Sequence, residues 1–334
     1  MSESQPLVSV VMPARNEARH VSEAIASVLA QSYRNLELIV IDDGSTDGTA
    51  DLVAAAASRD DRVRLLSGPA RGISAALNDG VAEAAGTWIA RMDADDLCLP
   101  YRLARQLAAA AQTPEVVAWG SWAYLFVDGR TERQLVGKVG PITLDELASA
   151  RRSCIPIGLL HPSVMMRRDV LEEVGGYDSR FDGGEDIELF DRMAEYGPVL
   201  SIPEPLLSMR LRTDGYGTVA FDKGRQAYRF VQARMQARKA GVRVPNIETF
   251  RLAEAEAGWG ARLVRRARSH GAWAVWKSDV ELLRGRYVRA VLLKLGAVLL
   301  DVHAARRLLG RLFARRLAAS QPPRSTGPDR QTAE

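Results

Sequence analysis

Residues 7–49 read LVSVVMPARNEARHVSEAIASVLAQSYRNLELIVIDDGSTDGT, and this stretch sets the fold class. Its two apolar runs, Leu7–Met12 and Leu36–Ile41, are short, rich in β-branched residues and lack clean alternation. Parallel strands buried on both faces have that pattern. Between the runs, Val21, Ala24, Ile25, Val28 and Leu29 recur at helical spacing, which predicts a helix over 20–31. Outward along the chain the same reading predicts a helix over 49–58, a strand over 63–66, a helix over 74–85 and a strand over 88–92. Strand–helix alternation from the first residues predicts a doubly wound α/β unit, a mostly parallel sheet flanked by helices.

The remainder is less regular. Val116–Val127 predicts one or two strands, Asp128-Gly129 a turn, His161–Arg168 a strand and Ile187–Glu195 a short helix. Val199–Arg212 reads as extended and is broken by Pro203 and Pro205. Beyond residue 220 the pattern is helical, and from Ser320 a Pro/Ser/Thr-rich stretch predicts a disordered tail. The 334 residues are 47% hydrophobic and 26% charged, which excludes a disordered chain and provides for a sizeable core. Two cysteines cannot build a disulfide framework or a four-thiolate zinc site, so a reducing compartment is expected.

The longest apolar run near the C-terminus, Tyr287–Leu300, is interrupted by Arg289 and Lys294, and is shorter than the ~20 residues of a membrane span. The N-terminus lacks the charged-then-apolar pattern of an export signal. The expectation is a cytoplasmic protein, peripheral on the inner face of the membrane. Charge distribution supplies the membrane part. Residues 251–316 hold 15 Lys/Arg against 5 Asp/Glu, so with a total of +4 the rest of the chain is net negative. Leu308, Leu309, Leu312, Phe313 and Leu317 share one helical face, with Arg306, Arg307, Arg311, Arg315 and Arg316 off it. That is the pattern of an interfacial helix drawn to anionic headgroups. For 245–300 the expectation is instead a helical subdomain whose apolar stripe packs inward. No nucleic-acid partner is expected, because no recognised module accompanies the basic stretch.

Three predicted strands end in polar clusters: Pro13-Ala14-Arg15-Asn16-Glu17, Asp42-Asp43-Gly44-Ser45-Thr46-Asp47-Gly48 and Asp93-Ala94-Asp95-Asp96. Carboxyl ends of parallel strands line one crevice, so the clusters are expected to converge there. Singly, each also reads as a turn or helix cap. Asp93 and Asp95, two apart at a strand end, suit a hard cation such as Mg²⁺ or Mn²⁺. No Walker loop, G-x-G-x-x-G fingerprint, zinc spacing or G-x-S-x-G elbow is present. A nucleotide would have to be held through a metal and acidic loops.

Five blocks then carry a resemblance: VSVVMPARNE (Val8–Glu17), SVLAQSYRNLELIVIDDGSTDGT (Ser27–Thr49), RGISAALNDGVAEAAGTWIARMDADD (Arg71–Asp96), HPSVMMRRDVLEEVGGYD (His161–Asp178) and GEDIELFDRM (Gly184–Met193). In order and spacing the chain resembles the family 2 glycosyltransferases, inverting enzymes of the GT-A fold, over about residues 6–212. The resemblance implies that Pro13, Arg15 and Glu17 lie along a nucleotide. It implies that Asp43 accepts from the base ring, Asp42 supports that loop and Arg71 flanks base or phosphates. It makes Asp93 and Asp95 the Asp-x-Asp motif, with Asp95 the principal ligand of Mn²⁺ or Mg²⁺, and Asp186 the general base beside Glu185. His161 falls to the acceptor side or to support of the site. The donor implied is a nucleotide sugar, a UDP-sugar first and a GDP- or dTDP-sugar next. The acceptor implied is a glycan or lipid-linked hydroxyl, as in polysaccharide or glycolipid synthesis.

The chain departs from the family where many relatives carry Tyr-Arg-x-His. Here the stretch reads Met209-Arg210-Leu211-Arg212-Thr213, so the resemblance leaves Arg212 as the expected diphosphate contact in place of the histidine. The expected organisation is a GT-A domain over 1–220, with a nucleotide half over 6–112 and an acceptor half over 113–220. A basic helical region over 221–318 and a tail over 319–334 follow. Two rivals remain at this level. A nucleotidyltransferase would need a basic Gly-rich loop near the N-terminus, which Pro13–Glu17 is not; a nucleotide-sugar- or glycan-binding scaffold of the same fold would show no turnover.

Overall fold

The computed structural model describes residues 5–128, 134–136, 139–212 and 221–300. The alternation read from the sequence is present: β1 (Val8–Ala14), α1 (Val21–Leu29), β2 (Leu36–Asp42), α2 (Thr49–Ala57), β3 (Val63–Ser67), α3 (Ile73–Ala82) and β4 (Trp88–Arg91). Helix α1 buries Val21, Ala24, Ile25 and Val28, the face its spacing predicts. Strands β3, β2, β1 and β4 lie parallel and adjacent. Their register sets Ala14 beside Asp42, and Val11 beside Arg91, so the carboxyl ends of β1, β2 and β4 share one edge.

The strands' period of two sorts the core into two layers. Val8, Val10, Met12, Leu38, Val40 and Ala90 face one cluster with α1 and α2. Val11, Ile39, Ile41 and Ile89 face the other, with α3. Parity places Arg91 on the Ile89 side.

The second half of the sheet is mixed. After β5 (Leu97–Cys98) and α4 (Arg102–Gln112) come β6 (Ala118–Phe126), β7 (Gln134–Val136), α5 (Leu144–Arg152), β8 (Met165–Arg167), α6 (Arg168–Glu173), α7 (Glu185–Met193) and β9 (Val199–Arg210). Strand β8 enters antiparallel between β4 and β6, while β9 runs parallel to β6 and antiparallel to β5. Pro203 and Pro205 sit at a register shift between β6 and β9, as expected of residues that cannot donate to a ladder.

Two readings differ from the structure. His161–Arg168 is not one strand: His161–Ser163 form a 3₁₀ turn, β8 follows, and α6 starts at Arg168. Pro162 fixes φ and lacks an N–H, which suits the turn and denies the strand. Helices α4 and α5 were not anticipated. The second is announced by Thr143-x-x-Glu146: Thr143 Oγ1 caps the helix by accepting from Glu146 N at 3.1 Å, and the Glu146 carboxylate reaches back past the cap to accept from Ile142 N at 3.0 Å.

A first compact unit runs to Glu256 and a second starts at Ala257. The first therefore takes in α8 (Phe221–Lys239) and α9 (Ile247–Glu256). The strand pattern stops near 212, but packing does not. Phe230 of α8 stacks on Phe181 at 5.2 Å, and Arg234 pairs with Glu188 at 2.7 Å and Asp191 at 2.6 Å on α7. The second unit pairs α10 (Trp259–Leu283) with α11 (Tyr287–Leu300) through Ala274, Val275 and Ala297. Among the described residues no helix is long and apolar enough to cross a membrane. Gly129, Thr213, the amphipathic stretch 304–317 and the tail lie outside the described residues.

Where the sheet changes direction it is stapled by polar side chains. Arg102 of α4 is fully buried and donates to the carbonyls of Arg91 (2.7 Å) and Val164 (3.2 Å). Its Nε donates to Gln106 Oε1 at 3.2 Å, and Gln106 Nε2 donates to Trp119 O (2.9 Å) and Ser163 O (2.8 Å). These carbonyls belong to the joint of β4, β6 and β8, and a buried carbonyl left without a donor is costly. Replacing Arg102 by Met is therefore expected to lower stability by on the order of 3 kcal/mol. A thermal melt should record a drop of roughly 6–12 °C for a unit of this size.

Candidate active site

The first two polar clusters fold into one laced surface. Asn16 takes a left-handed backbone (φ 55°), its N–H donates to Ser45 Oγ at 2.9 Å, and its side-chain oxygen accepts from Thr46 N at 2.9 Å. Glu17 N donates to Thr49 Oγ1 and Ala18 N to Asp47 Oδ2. Asp43 N donates to Ala14 O at 2.9 Å. Both Asp43 carboxylate oxygens accept backbone N–H groups, from Arg71 and Gly72, each at 2.9 Å. The side chain thus clamps the loop ahead of α3. Asp42 Oδ2 accepts from Ser45 N at 3.3 Å, whereas its Oδ1 is buried with no partner among the described residues. Pro13 is half-buried beside Ile41, Arg15 is exposed, and the Arg71 guanidinium pairs with Asp79.

The third cluster lies at the end of β4. Asp93, Asp95 and Asp96 bring carboxylate oxygens within 4.8 Å of one another. Each is fixed differently. Asp93 pairs with Arg91 Nη2 at 2.6 Å, and Arg212 Nη1 stands 3.6 Å from Asp95. Asp96 Oδ1 accepts from Arg210 N at 2.8 Å, while its Oδ2 is buried with no partner among the described residues. Burial first, then the charges of Asp93 and Glu17, push Asp95 up to about 6, against the pull of Arg212. Burial, then Asp93 and Asp95, raise Asp96 well above its ordinary value. Three hard oxygen ligands, one with an orphaned buried oxygen, suit a divalent cation.

Arg212 also ties this cluster to the first. Its Nη1 donates to both oxygens of Glu17 at 2.7 Å, and Glu17 accepts from His20 Nδ1 at 3.2 Å. Arg210 lies beneath: Nε donates to Asp95 O at 2.8 Å, Nη1 pairs with Asp128, and the guanidinium covers Phe126 at 4.6 Å.

Facing these groups is the first turn of α7, which starts with Glu185 and Asp186, where a helix N-terminus favours acids. Glu185 is buried, and its Oε2 accepts from Gly183 N (2.7 Å) and Gly184 N (3.0 Å). Burial and the neighbouring Asp186 push Glu185 up to about 7. Burial also raises Asp186, opposed by its helix amide bonds and by Arg91. His161 lies within 3.7 Å of Glu185, and its Nε2 is 3.0 Å from the Tyr177 hydroxyl. Burial and the charge of Arg91 hold that imidazole well below its usual range, so it is neutral.

The sequence reading anticipated Glu17, Asp93, Asp95, Glu185 and Asp186, and the fold gathers them at the end of the sheet that Arg91 occupies. It gave no individual role to Arg91, Asp96, Tyr177 or Arg210. The available signal for the first was a lone arginine closing an apolar strand, in WIARM.

A family model described as Glycosyl transferase family 2 matches residues 9–175. EpsE of Bacillus subtilis (strain 168), which is named a glycosyltransferase, is 33% identical over 234 residues, 65% of this chain and 78% of EpsE. The glycosyltransferase AglE of Haloferax volcanii is 26% identical over 212 residues, 62% of this chain and 67% of AglE. Two solved structures share the fold. A mannosyltransferase of Pyrobaculum calidifontis, in complex with GDP-Man and Mn²⁺, superposes with a TM-score of 0.54 at 20% identity, covering 89% of this chain and 87% of the other. S. aureus TarS 1–349, in complex with UDP, gives 0.51 at 15% identity, covering 90% and 89%. With half its length matched by the family model, the chain belongs to glycosyl transferase family 2.

Proposed function

We propose that this family 2 glycosyltransferase moves a sugar from a nucleoside-diphosphate donor to an alcohol, with inversion, in a single displacement. One observation carries the reading. At the end of β4 Asp93 pairs with Arg91 at 2.6 Å and clusters with Asp95 and Asp96, while Glu185 and Asp186 open α7, which packs in the same core layer as β4. In that step the acceptor oxygen bonds to the anomeric carbon as the bond to the diphosphate breaks. Asp186 takes the acceptor proton, and Glu185, fixed by the Gly183 and Gly184 amides, shapes its field. Asp42, Asp43 and the clamped loop at Arg71 flank the nucleoside, with Pro13 and Arg15 along it. Arg212 and Glu17 lie on the diphosphate side, and His161 supports Glu185.

Asp93, Asp95 and Asp96 would hold Mn²⁺ or Mg²⁺. When bound, the ion supplies positive charge at the leaving diphosphate. Two unit charges about 4 Å apart interact by about 4 kcal/mol at an effective dielectric near 20, so a divalent ion outranks any single arginine. A UDP-, GDP- or dTDP-sugar fits as donor, and a glycan or lipid-linked hydroxyl as acceptor.

A membrane surface is our proposed place for the reaction, and an exposed stripe in the second unit, where the sequence led us to expect one packed inward, supports it. Tyr287, Val288, Val291, Leu292 and Leu295 form an exposed apolar stripe on α11, and Arg284, Arg286 and Arg289 accompany it. Cytoplasmic sugar nucleotides and a lipid-linked acceptor would meet there.

Asp186→Asn is expected to lower turnover by roughly 10²–10⁴-fold while leaving Mn²⁺-dependent nucleotide binding within a few fold. Asp95→Asn should do the reverse in a thermal-shift titration, abolishing the extra stabilisation that Mn²⁺ gives to UDP or GDP. Equal turnover in wild type and Asp186→Asn would sink the reading.

The base acts only when deprotonated, and burial raises Asp186, so turnover should fall on acidification at a pH above that at which an exposed aspartate titrates. Stability has the opposite slope. Folded Glu185 keeps its proton to about 7, whereas an unfolded glutamate loses it near 4.5. Between those values the native state binds more protons, so stability falls as pH rises. Glu185→Gln should therefore stabilise the fold at pH 8, by on the order of 1–3 kcal/mol, and much less at pH 4.5. Melting curves at the two pH values decide it.

Vesicles rich in phosphatidylserine should capture the full chain more strongly than neutral ones. Leu292→Glu with Leu295→Glu should reduce that capture. Equal capture by both lipids, or by both proteins, removes the membrane assignment.

A further inference from the structure

Arg91 is the last residue of β4 and is 3% exposed. Its main chain is pinned on both sides: the N–H donates to Val164 O at 2.8 Å, and the carbonyl accepts from Arg102 at 2.7 Å. Strand parity sends the side chain to the layer that contains α7. One edge of the guanidinium meets Asp93 at 2.6 Å. Its Nε and Nη1 are buried with no acceptor among the described residues.

A cation placed this way is a poor stability device. A buried ion with unmet donors is disfavoured, and an apolar residue of similar volume often serves a fold better. The surroundings supply another reason for it. Asp93 comes from the loop after β4, His161 from the 3₁₀ turn, Tyr177 from the segment before α7, and Glu185 and Asp186 from α7 itself. His161 is neutral, and the field of Arg91 reaches all of them.

We propose that Arg91 is a positioning residue of the transfer, seating Asp93 at the cation cluster while its two unpartnered buried donors, Nε and Nη1, serve the acids that open α7. The donor-side and acceptor-side acids are then aligned from one buried charge. This rests on the glycosyl-transfer reading above and adds a residue to it.

The test uses the full chain and its Arg91→Gln and Arg91→Lys variants, with a panel of UDP-, GDP- and dTDP-sugars as probes. Release of nucleoside diphosphate is followed from whichever the wild type consumes. Arg91→Gln should lower kcat by roughly 10–100-fold and move the acid limb of the kcat–pH profile up by about one unit, because the base loses a facing cation. Mn²⁺-dependent binding of UDP or GDP should weaken by less than kcat falls. Arg91→Lys, which keeps the charge, should return the acid limb toward wild type. An unmoved limb in a folded Arg91→Gln, or a loss confined to nucleotide binding, overturns the proposal.

A crystal structure of the wild type with Mn²⁺ and UDP or GDP decides it independently of how the variants fold. Arg91 against Asp93, with Nε or Nη1 on Glu185 or Asp186, supports the proposal. Those donors turned onto the nucleotide or solvent overturn it. If the wild type consumes no sugar of the panel, or Asp186→Asn keeps full turnover, the transferase reading fails and this inference falls with it. An inactive Asp186→Asn beside an unaffected Arg91→Gln removes the inference alone.

Discussion

Like charges repel, and this fold gathers five carboxylates, those of Asp93, Asp95, Asp96, Glu185 and Asp186, around one end of its sheet. Burial removes the water that would screen them. Everything nearby answers that crowding. Arg91 enters from beneath, Arg212 bridges Asp95 to Glu17, and Arg210 binds the backbone of the same loop. Burial first, and for Asp95, Asp96 and Glu185 the charge of neighbouring acids next, raises Asp95, Asp96, Glu185 and Asp186 above the ordinary carboxylate range. A chain with no use for such an arrangement would be more stable with apolar residues in several of these places.

The first half of the fold was legible because its signals are local. Parallel strands buried on both faces are continuously apolar, and the helices between them keep a regular stripe. Convergence of Glu17, Asp43 and Asp95 on one edge followed from strand direction alone. The second half depends on pairing between distant segments. Nothing local says that Met165–Arg167 slots antiparallel between β4 and β6, or that Pro162 ends one element and clears the way for another.

The same distinction separates the visible site residues from the hidden ones. Asp93 and Asp95 declare themselves by spacing. Arg91 sits inside an apolar strand and gains meaning only when parity directs it toward α7. Asp43 was read as a nucleoside contact, yet its oxygens first serve the Arg71 and Gly72 amides, and the orphaned oxygen belongs to Asp42. Which oxygen is free is a property of loop packing, and a pair of adjacent aspartates does not encode it.

The backbone ahead of Glu185 is pressed against α8. A methyl group on Gly184 would stand 2.5 Å from Ala227 Cβ and 3.0 Å from Gly224 Cα, and one on Gly224 would meet Gly183 O at 2.7 Å. Two chains touch there without side chains between them, so a displacement of α8 passes to the α7 N-terminus with no soft layer to absorb it. A bulkier residue at Gly184 or Gly224 would therefore have to part the two chains, shifting the backbone that leads into Glu185 without touching any of the acids.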